Sequence, residues 1–196
     1  DYSYLKTSSY SGMKSTCVDA LAHMIESRLN TNANAFSRAY AEEGMKLWAS
    51  CKGCLETEER FAQMTDDEFS TFMQASVLAG MAIAYTGTSI PHGLSYTLTY
   101  ENGVPHGKAV GVFLSGFLKE YGDSIEAEYV VKQLLGFDYI DAFRDYIRTL
   151  FGKLDMSEKL WKKDRDGILA NPAKLKNYPF ELTADVLDDY VRYYNA

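Results

Sequence analysis

Residues 15–29 read STCVDALAHMIESRL, and the fold is decided by how this stretch is read. Its apolar side chains Val18, Leu21, Ala22, Ile25 and Leu29 recur at steps of three and four, the period of an α-helix packed on a core. Ser15 or Thr16 is expected to cap its start, because a hydroxyl there can accept from a free N–H of the first turn. Asp19 and His23 are four residues apart within it, so both side chains project from one face, one turn apart. Helical bundles build metal sites from such pairs, since one helix then supplies two ligands without backbone distortion.

Working outward, the helical period continues over 35–49, 66–86, 93–100, 107–121, 124–135, 138–152, 157–168 and 183–194. The 66–86 helix opens on Asp66, Asp67 and Glu68, carboxylates that suit the positive end of a helix dipole. Thr183 is placed to cap the last helix. Hydrophobic alternation of strand type is nowhere sustained. Asn102-Gly103 reads as a turn between helices, and 171–180, with Pro172 and Pro179, as a surface excursion. Nothing rich in Pro, Gly or Ser divides the chain. The expectation is an all-α multi-helix bundle, one domain over 1–196.

Composition narrows the function classes. With 196 residues, 46% hydrophobic and 24% charged, the chain can bury a substantial core and is not of disordered type. Its net charge of −7 repels phosphate backbones, and Lys162, Lys163 and Arg165 are interrupted by Asp164 and Asp166, so no nucleic-acid partner is expected. The most apolar run, 75–85, is too short for a membrane span. With no secretory signal, a cytoplasmic protein with reduced thiols at Cys17, Cys51 and Cys54 is expected. The chain opens on Asp1 rather than Met, as a portion of a larger product would.

The chemistry lies in the only three histidines, His23, His92 and His106. His92 and His106 each stand in Pro-His-Gly. Proline favours an extended residue before it and a helix after it, and glycine permits close backbone approach. Each triplet therefore reads as a loop-to-helix junction delivering an imidazole to a fixed point. Taken singly, such residues are more often hydrogen-bonded, packed or exposed than bound to metal. As a set, three imidazoles and a carboxylate suit Fe²⁺ or Zn²⁺ in ligand type.

The stretches Cys17–Ser27 and Gly80–Ala109 resemble the iron-containing alcohol dehydrogenase family, of dehydroquinate synthase-like fold. The family carries Asp-Ala-Leu-x-His-x-x-Glu, then a His, then another fourteen residues later, and here His92 and His106 are fourteen apart. Asn171-Pro172 and the Thr-led helix after it also match the family's C-terminal end. The resemblance implies that Asp19, His23, His92 and His106 are the four metal ligands, with Fe²⁺ the expected ion and Zn²⁺ the alternative. It implies oxidation of a primary alcohol or hydroxy acid to the aldehyde, or the reverse. The alkoxide held at the metal would pass a hydride to NAD or NADP. Where the family often has a second His, this chain has Tyr96, which either replaces it through its hydroxyl, as the catalytic candidate beside the metal, or merely packs there. The family's N-terminal dinucleotide-binding half lies outside this chain, which contains no Gly-rich phosphate loop, so the fragment alone is expected to be inactive. A homodimer is also allowed. Glu26 reads as a supporting partner of the site, and Lys108 as a solvated lysine or a contact for an acidic substrate. Two other readings stand beside this one. The first is a non-catalytic helical scaffold or partner-binding domain with a vestigial or structural metal site. The second is a metal-dependent hydrolase with Glu26 as its base.

Overall fold

The computed structural model describes residues 1–122 and 124–196, and among these there is no strand. A 3-10 turn at Tyr2–Thr7 precedes α1 (Tyr10–Leu29), α2 (Ala35–Cys51), α3 (Glu58–Ala62), α4 (Asp66–Thr86), α5 (Ile90–Asn102) and α6 (His106–Lys119). After these come α7 (Ile125–Glu128), α8 (Ile140–Phe151), α9 (Glu158–Leu169), α10 (Pro172–Leu175) and α11 (Ala184–Asn195). The all-α expectation therefore holds. The expected 124–135 helix is α7 running into a π-helical turn, Tyr129–Leu134, where the Leu135 N–H reaches back five residues to the Val130 carbonyl at 3.0 Å. The excursion at 171–180 contains the single turn α10, begun by Pro172 with the Asn171 side chain accepting from the Lys174 N–H. Thr183 caps α11 by accepting from the Val186 N–H.

The helix α1 occupies the centre, packed against α2, α4 and α6. Val18, Leu21, Ala22, Met24 and Ile25 point to different sides of it and are all fully buried, so this is a core helix rather than one with a single apolar face. Its start differs from the expectation. The helix begins at Tyr10, and Ser9, not Ser15 or Thr16, is the cap, accepting from the Gly12 N–H at 3.1 Å. Ser15 sits one turn inside and spends its hydroxyl on another helix, accepting from the Gly107 N–H at 3.0 Å. Pro105, at the N-terminal cap of α6, offers no side-chain acceptor, so Ser15 satisfies a donor that α6 would otherwise leave free. Gly107 is required there, since a Cβ at that position would run into the Ser15 backbone carbonyl.

The turn at Asn102-Gly103 forms as read. Gly103 ends α5 in the left-handed region at φ 64°, and the Val104 N–H bonds back to the Leu98 carbonyl. This folds α6 back along α5 and brings the second Pro-His-Gly beside the first.

Candidate metal centre

Three helices deliver the chemistry. From α1 come Asp19 and His23, from the first turn of α5 comes His92, and His106 is the first residue of α6. Asp19 Oδ1 lies 3.3 Å from His92 Nε2 and 3.6 Å from His106 Nε2. One donor atom from each of Asp19, His92 and His106 falls within 4.8 Å of the others, a spacing one cation can bridge. Asp19 Oδ1 and His92 Nε2 are buried and, beyond their approach to each other, make no hydrogen bond to any described group. Buried polar atoms in that condition are costly unless something outside the chain satisfies them, so both the donor chemistry and these orphaned atoms fit a divalent metal.

His23 stands apart from the trio. Its ring stacks on His92, centroids 4.4 Å apart and planes 16° from parallel. Burial and the neighbouring His92 both lower its pKa, outweighing Asp19 and Glu26, which favours the neutral imidazole that metal ligation needs.

Glu26 is the support on which His92 rests. It is fully buried, one further turn along α1 from His23. Its carboxylate accepts from the Ser89 N–H, from the His92 N–H at 3.0 Å, and pairs with His92 Nδ1 at 2.8 Å. Ser89 makes no side-chain cap for α5, so Glu26 acts as that cap from a different helix, its charge facing the positive end of α5. Burial alone would raise the Glu26 pKa, but His92 and these donors hold it below the ordinary carboxylate range. Burial likewise opposes charge on His92, yet Glu26, with Asp19 behind it, lifts that ring to about 10. For Asp19 too, burial opposes ionisation and the histidines reverse it, keeping the group a carboxylate. A histidine that bonds a carboxylate through one nitrogen and turns the other toward a metal position is a recurrent arrangement in metal sites.

Tyr96 lies one turn beyond His92. Its ring is parallel to that of His106 within 3°, centroids 6.3 Å apart, and its hydroxyl accepts from Lys174 Nζ at 3.2 Å. Burial would raise its pKa, and Lys174 more than offsets this, lowering it. Lys108 lies near enough to Lys14 that, after burial, it is the next cause lowering the Lys14 pKa. Cys54 is buried, and burial, with Glu68 beside it, pushes its thiol up to about 12.

Sequence reading missed two contributors. Ser15 had a visible signal, lying four residues before Asp19 and hence on the same face of α1. Lys174 had none.

Residues 13–166 match the family model described as Fe-containing alcohol dehydrogenase family, C-terminal. Among curated proteins, the chain is 24% identical to 4-hydroxybutyrate dehydrogenase of Clostridium kluyveri over 97% of its own length and 55% of the relative's. It is 31% identical to a 1-propanol dehydrogenase of Citrobacter freundii over 51% of the chain and 26% of that protein. Among solved structures it superposes on an iron-containing alcohol dehydrogenase of Thermotoga maritima with TM-score 0.84, at 29% identity, over 100% of this chain and 52% of that one. It shares the fold of sulfoacetaldehyde reductase from Bifidobacterium kashiwanohense, with TM-score 0.82 at 24% identity, covering 100% of this chain and 53% of that one. The chain thus spans about half the length of the relatives it matches.

Proposed function

The chain belongs to the iron-containing alcohol dehydrogenase family, and from that premise we propose that it is the metal-binding, substrate-pocket half of an NAD(P)-dependent dehydrogenase acting on a primary alcohol or hydroxy acid. The reading rests on one observation: two buried atoms, Asp19 Oδ1 and His92 Nε2, lie 3.3 Å apart beside His106 and make no hydrogen bond to any other described group. Asp19, His92 and His106 would hold the ion, with His23 the fourth ligand that the family motif implies. Fe²⁺ is the ion proposed, and Zn²⁺ would suit the same donors. Such an ion supplies Lewis acidity, favouring the ionised over the neutral form of a hydroxyl and polarising a carbonyl.

The chain's own groups do the rest. Asp19 supplies the negative charge that retains a cation. Glu26 fixes the His92 ring through Nδ1 and leaves Nε2 to the ion. Ser15 holds the first turn of α6, and with it His106, against α1. Tyr96 forms a wall beside His106, and its hydroxyl would face a substrate bound there. The nicotinamide cofactor, NAD or NADP, would be held by a dinucleotide-binding half like that of the longer relatives and would accept or supply the hydride.

Both the relatives' printed substrates, 4-hydroxybutyrate and 1-propanol, support a short primary alcohol. Reconstitution with Co²⁺ under anaerobic conditions tests this. The visible absorption of the bound ion should shift on adding 1-propanol or 4-hydroxybutyrate. An absorption spectrum indifferent to every short alcohol and hydroxy acid would defeat the proposal. Aldehyde reduction with NAD(P)H by this chain alone, at ordinary enzyme rates, would defeat the assignment of the dinucleotide to a separate half.

A further inference from the structure

The side chain of Lys174 is held by two hydroxyls beside the candidate metal position. The chain carries 27 acidic against 20 basic residues, yet Lys174 meets no carboxylate among the described residues. Its Nζ donates to the hydroxyls of Thr88 and Tyr96 and lies 5.2 Å from the centre of the Tyr96 ring.

The lysine is held in place by the structure around it. Its stem passes over Gly93, the residue after His92, where a Cβ would come within 3.5 Å of Lys174 Cγ. The turn that carries it is tied down on both sides. Asn177 Nδ2 donates to the Thr88 carbonyl at 2.8 Å, Asn32 Nδ2 to Asn177 Oδ1 at 3.1 Å, and Thr31 Oγ1 to the Lys176 carbonyl at 2.7 Å. The Tyr96 ring then spans the interval between Lys174 and His106.

Counting protons shows what this cluster can bind. An ammonium has three N–H donors, and the two hydroxyls take two of them. The Thr88 hydroxyl, having accepted from Lys174, gives its proton to the Tyr96 oxygen, and Tyr96 keeps its own proton to give away. One N–H and the Tyr96 O–H therefore converge beside the lysine charge, with no anion in contact with Lys174 among the described residues. That is the complement of a carboxylate.

We propose that Lys174, with the hydroxyl of Tyr96, anchors a carboxylate at the far end of the substrate, so that the substrate is a hydroxy acid rather than a plain alcohol. This deepens the dehydrogenase reading and rests on it, since the alcohol end is assigned to the Asp19–His92–His106 position. The same donors would also suit a cofactor phosphate, and the experiment separates the two.

Binding is measured by calorimetry on the Zn²⁺-loaded chain, with metal content determined on the same samples. The probes are 4-hydroxybutyrate, 1-butanol of equal chain length, and NADH. The hydroxy acid should bind about tenfold more tightly than 1-butanol. Lys174→Met should abolish that preference with 1-butanol affinity unchanged, and Lys174→Arg should retain most of it. Equal binding of hydroxy acid and alcohol by the parent chain overturns the proposal. So does a Lys174→Met chain that loses NADH affinity while keeping its preference for the acid, or one that loses both substrates equally. The two readings fail separately. Bound metal without acid preference removes the anchor alone, whereas acid preference in a chain that takes up no metal leaves the anchor standing and removes the dehydrogenase reading.

Discussion

The two Pro-His-Gly triplets are identical in sequence and unlike in setting. The His92 side chain is 3% exposed, stacked on His23 and gripped from behind by Glu26. The His106 side chain is 38% exposed, and its Nδ1 has only the Thr99 hydroxyl at 3.5 Å. The difference comes from α1. It offers the first triplet a buried carboxylate and the second a serine hydroxyl from Ser15, so one helix assigns the two imidazoles different roles. His92 is built into the core, and His106 is docked onto it.

The largest way to break this asymmetry is at Glu26. Glu26→Gln removes the nearer of the two carboxylates facing the buried His92 and strips the start of α5 of its anionic cap. Denaturant unfolding should show a loss of about 3–5 kcal/mol, and metal affinity should fall about 10- to 100-fold. An unfolding midpoint like the parent's would show that Glu26 does not hold His92.

A second buried carboxylate sharpens the same comparison. Asp164, on α9, has no histidine; burial, offset in part by the Thr97 hydroxyl and reinforced by Glu101, pushes its pKa up to about 7, and Oδ2 has no partner among the described residues. The unfolded chain ionises this group near 3.8 while the folded one keeps it neutral. Its contribution to stability is therefore fully present below about pH 4, declines as pH rises, and is lost above about pH 7. Asp164→Asn should flatten this decline and leave the variant about 1–3 kcal/mol more stable than the parent near pH 8. Parallel pH profiles for the two chains would contradict the assignment.

Removing the serine tether should cost less. Ser15→Ala should lower stability by about 1 kcal/mol, the usual cost of a lost helix cap, with a measurable drop in metal affinity and no change at His92. The smallest stability effect is expected at the second imidazole itself. His106→Ala should change unfolding by under about 0.5 kcal/mol, as exposed positions do, while metal binding is lost. A destabilisation as large as that of Glu26→Gln would mean that the two triplets are equivalent after all.

What could be read from sequence tracks how local the information is. The course of α1 and the shared face of Asp19 and His23 follow from a repeat of three and four within a few turns. The two triplets announce helix starts because proline and glycine act on their immediate neighbours. The start of α1 was misread because Ser9, Ser15 and Thr16 can each cap a helix, and only the approach of Gly107, 92 residues away, shows where Ser15 is used. The short helices α3 and α10 hold too few residues for a period to register. Lys174 reaches Tyr96 across 78 residues, and nothing in its own neighbourhood distinguishes it from the solvated lysines beside it.

The most direct measurement is metal stoichiometry after anaerobic reconstitution with Fe²⁺ and desalting, for the parent chain and for Asp19→Ala, whose carboxylate faces both triplet imidazoles. The account predicts one equivalent per chain in the parent and essentially none in Asp19→Ala. Equal metal in both, or none in a folded parent, would contradict it.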